Sequence, residues 1–262
     1  MKNILLTFLI FCFNLIIISC AKKDGSSDTT ISPWVKQIWT SKYNYGTGVT
    51  LESSENLFAS EQTNNIGLDR NTNLGSDGIF LVKYDTSGTK LWTEQLGVSD
   101  NNSGISLTVD SYDNIYVTEY TKRKLDGNIN SGNYDIFLIK YNSSGIKLWT
   151  KKLGSSSANH GMGMTVDSFD NIYVTGLTNR VLDVDNNEID EEFVLMKYNS
   201  FGTKQWTKQL RLSASDIALD VTVDSSDNIN VIGFSNSSFD KNFELLDGDI
   251  LLVKYNFDGV LQ

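Results

Sequence analysis

The chain has almost no cysteine, histidine or proline, and this scarcity excludes several kinds of site. Of its 262 residues only Cys12 and Cys20 are cysteines, and both lie in the first 20 positions. The rest of the chain can therefore form no disulfide, thiolate zinc site or cysteine nucleophile. The single histidine, His160, cannot build a multi-histidine metal site. The single proline, Pro33, leaves a composition suited to many short strands joined by polar turns.

Basic residues are also in the minority. Lysine and arginine number 22 against 32 aspartates and glutamates, which gives a formal net charge of −10. An acidic protein repels phosphate backbones. We therefore expect no binding of nucleic acid.

Tryptophans recur at a nearly constant interval. Trp34, Trp92, Trp149 and Trp206 are separated by 58, 57 and 57 residues. An acidic turn and a strand resembling IFLVKY return with the same period. Self-similarity at a fixed period of this size indicates a repeat architecture such as a propeller, a solenoid or an array.

One repeat reads as four strands. In residues 104–153 the strands are predicted at 105–109, 115–118, 136–141 and 147–153, with Gly145 in a turn at the position that tolerates positive φ. Four antiparallel strands make one propeller blade, and stacking between neighbours explains why the middle strands are apolar on both faces. The sequence thus predicts an all-β fold: a β-propeller of four-stranded antiparallel blades, with four repeats of about 57 residues over residues 33–262.

The two ends of the repeat region are complementary. The fourth repeat lacks its tryptophan strand, and the segment around Trp34 aligns with the strand around Trp206. Residues 31–40 are therefore expected to complete the last blade, close the ring and remove its open edge. A monomer is the expected form.

The repeats resemble a known bacterial family. The pattern V-D-S-x-D-N-I-Y-V-T, then L-D-G-N-x-N-S-G, then D-I-F-L-x-K-Y-N-S-S-G-x-K-x-W-T-K-x-L-G is similar to the SBBP β-propeller repeat, which is named for seven-bladed propellers. Four repeats are present here rather than seven. The chain is therefore either a small four-bladed ring or a shortened member that must associate. The resemblance implies an exported surface or envelope protein and names no ligand.

The first residues predict export. A positive start precedes an apolar run, Ile4 to Ile18, whose length fits a secretory signal. Ser19 before Cys20 resembles the lipobox of bacterial lipoproteins, with Ile18 as a departure toward the looser spirochaetal form; an ordinary signal peptide with a chance cysteine is the alternative. We expect a signal peptide at 1–19, lipidation of Cys20, a flexible tether over 20–32, and anchoring in the cell envelope at the outer membrane or cell surface.

The loop after the second strand of each repeat carries alternating oxygen ligands, the kind that Ca²⁺ prefers. The spacing differs from an EF-hand loop, and a polar loop bonded to its own backbone is the alternative. The candidate ligands are Asp69, Asn71, Asn73, Asp126, Asn128, Asn130, Asp135, Asp183, Asp185, Asn187, Glu192, Asp240, Asn242, Glu244 and Asp249, with Asp77 at a spacing one residue shorter in the first repeat.

The remaining candidates favour structural roles. The DSxDN acids recur in every repeat, so we interpret them as turn residues, with Asp capping the bend and Asn in the left-handed position, rather than as a glycosidase pair. Repeated Trp and Tyr positions indicate packing between blades, and His160 is expected in a surface loop. With no visible catalytic constellation, we expect a non-catalytic interaction scaffold for a protein or glycan partner; a calcium-stabilised adhesive or structural domain is the alternative, and a hydrolase a remote one.

Overall fold

The computed structural model describes residues 34–36, 44–64, 77–95, 103–121, 127, 135–153, 159–178, 192–210, 216–235 and 249–262. Contacts divide the chain into Met1–Ser32 and Pro33–Gln262. The first unit lies outside the described residues, so the signal, lipidation and tether predictions fall there. Within the described part, no helix has the length and hydropathy needed to cross a membrane.

The described residues form fifteen strands in four antiparallel sheets, one sheet for each repeat. The order within each sheet follows the chain. The strands are β1 Asn44–Leu51, β2 Leu57–Asn64, β3 Asp77–Tyr84, β4 Lys90–Gln95, β5 Ser103–Val109, β6 Ile115–Thr121, β7 Asp135–Tyr141, β8 Lys147–Lys152, β9 Asn159–Val166, β10 Ile172–Thr178, β11 Glu192–Tyr198, β12 Lys204–Leu210, β13 Asp216–Val223, β14 Ile229–Ser235 and β15 Asp249–Tyr255.

The first three sheets have four strands each, and the fourth has three. The four strands predicted for residues 104–153 are confirmed as β5 to β8. After β15, Leu261 forms an isolated antiparallel bridge with Tyr255. A fourth strand completing this sheet is not among the described residues.

The hydrophobic core lies between consecutive sheets. We call the face of a sheet that packs on the next repeat its forward face and the opposite one its rear face. The forward face of the first sheet places Phe58, Ile79 and Leu81 against Leu107 and Phe137 on the rear face of the second. The same arrangement recurs between the second and third sheets and between the third and fourth. Burial on both faces is why the third strand of each internal repeat reads as a continuous apolar run.

Candidate functional site at the turn end of the sheets

Each repeat has two tight turns at the same end of its sheet, because strands run antiparallel. The acid turn joins the first and second strands, and the glycine turn joins the third and fourth positions of the repeat. The acid turns are Glu52–Asn56, Asp110–Asn114, Asp167–Asn171 and Asp224–Asn228; the glycine turns are Asp85–Thr89, Asn142–Ile146, Asn199–Thr203 and Asn256–Val260.

The first acid of each acid turn organises the bend. In the second repeat, Asp110 Oδ1 accepts the backbone N–H groups of Tyr112 and Asn114 at 3.0 and 2.8 Å. The Asn114 amide donates to both carboxylate oxygens at 3.0 and 2.9 Å. The third repeat repeats these contacts around Asp167. The prediction that this aspartate caps the bend is confirmed.

A lysine from the third strand neutralises that acid and reaches the next repeat. Lys140 Nζ lies 3.1 Å from Asp110 Oδ2, sits 4.8 Å from the centre of the Tyr116 ring, and donates to the carbonyl oxygen of Ser200 at 3.3 Å. Lys83 does the same with Glu52 and the Ser143 carbonyl, and Lys197 with Asp167 and the Phe257 carbonyl. Each lysine therefore links two repeats as well as pairing a buried charge.

The pKa shifts in this network follow from burial and hydrogen bonding. Burial opposes ionisation of Asp110, but hydrogen bonds from Asn114 and Lys140 outweigh it and lower the pKa of the carboxyl. Burial and the neighbouring Asp110 together raise the pKa of Tyr116, whose hydroxyl donates to Asp110 at 3.0 Å. For Lys197, burial lowers the pKa against the opposing effect of Asp167. Hydrogen bonds and ion pairs thus hold the charged groups of this network in place.

A second link joins each acid turn to the next one. Ser111 donates its backbone N–H and its hydroxyl to the two oxygens of Asp170, at 2.8 and 2.9 Å. Ser53 bonds Asp113, and Ser168 bonds Asp227, in the same way. We call these contacts the serine–aspartate staples.

The acceptors of the staples sit in the left-handed region of backbone space. Glu55, Asp113, Asp170 and Asp227 have φ between 57 and 63°. The prediction that Asn takes this position is wrong: the fourth turn residue takes it. The asparagine, at the fifth position, is occupied in bonding the first acid through its side chain.

The glycine turns pack on the tryptophan of the preceding repeat. The predicted positive φ of Gly145 is confirmed, at 83°. A Cβ at this position would lie 3.4 Å from the Trp92 ring, and the same glycine of the next two repeats faces Trp149 and Trp206. Each of these tryptophans also stacks on a ring of its own sheet, such as Phe58 beneath Trp92 at 5.7 Å. The prediction that these tryptophans pack between neighbouring repeats is therefore confirmed.

Three aromatic side chains stand outside these networks. Tyr112 and Phe169 occupy the third position of two acid turns, and Phe201 lies on a glycine turn. Their side chains are 69 to 79% exposed. Phe169 also meets Phe257 of the next repeat edge to face at 5.7 Å. Sequence reasoning missed this surface; the signal was the aromatic residue at a turn position where polar residues are usual.

The predicted calcium ligands lie mainly outside the described residues. This holds for Asp69, Asn71, Asn73, Asp126, Asn128, Asn130, Asp183, Asp185, Asn187, Asp240, Asn242 and Glu244. Asp77, Asp135, Glu192 and Asp249 each stand at the start of a third strand. Asp135 is fully buried, with its carboxylate 2.9 Å from Lys152 Nζ. Within the described ranges, no group of three or more potential metal ligands comes together.

His160 is placed differently from the prediction. It belongs to strand β9, opposite Leu177 of β10, and not to a loop. Its sequence context of small and polar residues suggested a loop, but pairing with an apolar neighbouring strand extends β9 through it.

Comparison with known proteins agrees with this architecture. Residues 148–182 match the family model of the SBBP β-propeller repeat. The matched segment runs from β8 of one repeat into the acid turn and β10 of the next, so it includes a staple residue and a tryptophan strand.

Two curated proteins are similar over part of the chain. An uncharacterized WD repeat-containing protein of Acanthamoeba polyphaga mimivirus is 26% identical over 189 residues, which is 57% of this chain and 14% of that protein. The regulatory protein FlaEY of Caulobacter vibrioides is 30% identical over 110 residues, 39% of this chain and 12% of that one. The chain therefore spans only a small part of either relative.

Two solved structures are distantly similar to this chain. A gluconolactonase from Xanthomonas campestris has a TM-score of 0.44 and 11% identity, covering 82% of this chain and 60% of its own. A polysaccharide lyase has a TM-score of 0.46 and 12% identity, covering 81% and 47%. At these values neither likeness bears on the activity of this chain.

Proposed function

We propose that this protein is an exported, lipid-anchored envelope scaffold that binds a protein or glycan partner without catalysing a reaction. The observation that carries the proposal is the exposure of Tyr112, Phe169 and Phe201 on turns that are otherwise bonded internally. Rigid aromatic side chains supply large contact area at low entropic cost, whether the partner is a peptide or a sugar ring.

The charged groups at the same end support a binding role over a catalytic one. The acid of each turn is held by its asparagine and its lysine, and the same arrangement recurs from repeat to repeat. A single active site needs one distinct constellation, whereas repetition favours a structural use of these carboxylates. The acids fix the turns that present the aromatic residues.

Binding by this aromatic surface can be tested directly. The triple variant Tyr112→Ala, Phe169→Ala and Phe201→Ala should lose binding to envelope fractions, tested on immobilised peptidoglycan, on polysaccharide and on detergent-solubilised envelope protein. Leu219→Ala is the matched control, because this side chain is also exposed but lies on strand β13, five residues before the acid turn at Asp224. If the triple variant and the native protein bind these envelope fractions equally well, the proposal is contradicted.

Anchoring is tested separately. Cys20→Ala should move the protein from the membrane pellet to the supernatant after a carbonate wash, since the thioether that carries the lipid cannot form. Retention of the variant in the pellet would refute lipid anchoring at this residue.

A calcium-stabilised adhesive domain is the second candidate, favoured by the recurrent D-x-[ND]-x-[NDE] spacing of the loops. Binding to the native state alone raises stability with ligand concentration. The melting temperature of EDTA-stripped protein should then rise as calcium is added up to about 10 mM, a concentration that saturates weak extracellular sites. The rise should vanish in the double variant Asp126→Ala with Asp183→Ala. If the melting temperature of the native protein stays constant as calcium is added, the calcium-stabilised domain is contradicted and the scaffold proposal stands without it.

A further inference from the structure

The exposed aromatic side chains at the turn end lie in repeats that have a neighbour on either side. Tyr112 belongs to the second repeat, and Phe169 and Phe201 belong to the third. They remain exposed although the sheets that carry them pack on other sheets through both faces. Their exposure is therefore a property of the turn end itself and does not depend on how the first or the fourth sheet is covered.

Each aromatic residue of the acid turns stands directly before a staple aspartate. Tyr112 precedes Asp113, and Phe169 precedes Asp170. The staple uses two hydrogen bonds on Asp170, from the backbone N–H and the hydroxyl of Ser111, whereas a carboxylate has about four acceptor sites. Among the described residues, no lysine or arginine forms an ion pair with Asp113 or Asp170. The two turns therefore present an aromatic ring beside a carboxylate that has no counterion.

The same combination of groups binds a lysine inside the protein. Asp110 and the ring of Tyr116 receive the ammonium group of Lys140 at 3.1 and 4.8 Å. The third repeat holds Lys197 in the same way, and this ammonium group also lies 3.1 Å from the centre of the Phe257 ring. An aromatic face attracts a cation through its quadrupole. The rings and carboxylates on the acid turns thus offer a cationic side chain the same two contacts.

The surroundings of Phe169 are acidic. Its ring meets Phe257 of the next glycine turn, and the turns that carry or adjoin these two rings hold four carboxylates against one lysine, Lys197. The carboxylates are those of Asp167, Asp170, Asp227 and Asp258. Charges of this sign attract a basic segment and repel an anionic glycan or a phosphate polymer.

The geometry of the rings favours a protein segment over a glycan chain. Phe169 and Phe257 lie 5.7 Å apart between ring centroids, with an angle of 68° between the ring planes. Rings at this angle form no common flat platform, so a sugar ring can stack on only one of them. One face of the Phe257 ring already carries the ammonium group of Lys197. The notch between two inclined rings instead suits one alkyl stem or one guanidinium group.

We propose that the aromatic residues and staple aspartates of the second and third acid turns bind a lysine- or arginine-bearing segment of a protein partner. This inference rests on the proposed function, since it specifies what the scaffold binds. The cationic group lies over the ring of Tyr112 or Phe169 and pairs with the aspartate that follows. Phe201 lies on the glycine turn that Lys140 joins to the Asp110–Asn114 turn, where it can contact the apolar stem of the same side chain.

The first test compares two labelled peptides by fluorescence anisotropy with the full-length protein in mild detergent. One peptide alternates lysine, arginine and leucine, and the other has glutamine in place of every lysine and arginine. We expect the basic peptide to bind about tenfold more tightly. Its affinity should fall as sodium chloride rises from about 50 to about 500 mM, because salt screens exposed charges. Equal affinity for the two peptides, or binding of neither, would overturn the proposal.

The second test removes charge from the surface without removing the staples. Asp113→Asn with Asp170→Asn keeps an oxygen acceptor for each staple serine, and asparagine tolerates the left-handed conformation. Glu55→Gln with Asp85→Asn is the matched control, because it removes the same charge at the same end of the sheets, from turns that contain no aromatic residue. We expect the first double variant to bind the basic peptide about tenfold more weakly and the control to bind it as the native protein does. Equal losses would assign binding to the net charge of the molecule and refute a local site.

A third comparison separates this inference from the proposed function. Tyr112→Leu with Phe169→Leu keeps apolar area but removes the ring faces, so it should also weaken binding of the basic peptide. If the triple alanine variant loses envelope binding while every variant binds the basic peptide alike, the scaffold stands and the cationic partner is refuted. If the triple variant keeps envelope binding, the proposed function itself fails. Tighter binding of a glucosamine hexamer than of the basic peptide would overturn the choice of a protein partner.

Discussion

At the scale of single residues, the staple acceptors combine an unusual backbone conformation with a bond across a junction. Asp170 has φ of 60° and accepts two hydrogen bonds from Ser111. Asp170→Ala removes the bonds and keeps a β-carbon in the left-handed region, whereas Asp170→Gly removes the bonds and also relieves the strain of that β-carbon. We expect the alanine variant to lose about 2–4 kcal/mol of unfolding free energy and the glycine variant about 1–2 kcal/mol. Urea unfolding measures both, and equal losses would contradict a backbone contribution.

The turn carboxylates also set the response to acid. The pKa values of Glu52, Asp110 and Asp227 are lowered in the folded protein. A carboxyl with a lowered folded pKa contributes stability that is complete above its unfolded pKa and disappears as pH falls through the folded one. The urea midpoint should therefore be level near neutrality and decline from about pH 5 downward. Asp110→Asn should flatten that decline, and an unchanged acid limb in this variant would assign the effect elsewhere.

Residue identity alone could predict part of this turn. The recurrence of Asp, Ser, Asp and Asn indicated a capped bend, and the capping role of the first aspartate is confirmed. The sequence could not predict that the fourth turn residue, rather than the fifth, takes the left-handed conformation. The reason is that this conformation depends on a serine one repeat earlier that donates to Asp170. A partner 59 residues away leaves no local signature in the turn.

At the scale of the elements, the third-strand lysines allow one residue to be compared at two levels of burial. Lys140 is buried and bridges Asp110 to the next repeat, while Lys254 is half exposed beside Asp224. Lys140→Met leaves a buried carboxylate without its cation, so we expect a loss of about 3–5 kcal/mol. Lys254→Met should change stability by about 0–1 kcal/mol, as for exposed pairs. Thermal or urea unfolding of the two variants gives the comparison, and similar losses would show that junction burial does not set the cost.

The strands were predictable because each had a strong local pattern. Residues 136–141 are apolar on both faces, and β7 covers them with every side chain buried. Strand β9 is the exception: its pairing extends to Asn159 and His160, where the sequence is polar and rich in small residues. Pairing with β10 determines this extension. The pattern of residues within β9 does not predict it.

At the scale of the whole molecule, the period established the sheets and the order in which they pack. It could not establish that Leu252 is exposed, because Leu252 has the same residue type as the buried Leu195. An apolar position reads the same in the sequence whether or not a neighbouring sheet covers it. The aromatic surface at the turn end escaped prediction for a related reason, since Tyr112 and Phe169 reveal their role only through their exposure.

The N-terminal segment gives the last prediction, deletion of residues 31–40. Trp34 covers Gly88 and stacks on Tyr84 at 6.2 Å, so its removal uncovers part of the first sheet. The outer edge of β15 would also lose the strand that the sequence predicts to pair with it, and an unpaired edge promotes aggregation. We expect the deleted protein to aggregate or to melt over a broader range, measured by scanning calorimetry and light scattering. Trp34→Ala should reproduce the broadening with less aggregation, because the backbone that pairs with the edge remains. A deletion that melts like the native protein would show that residues 31–40 complete no sheet.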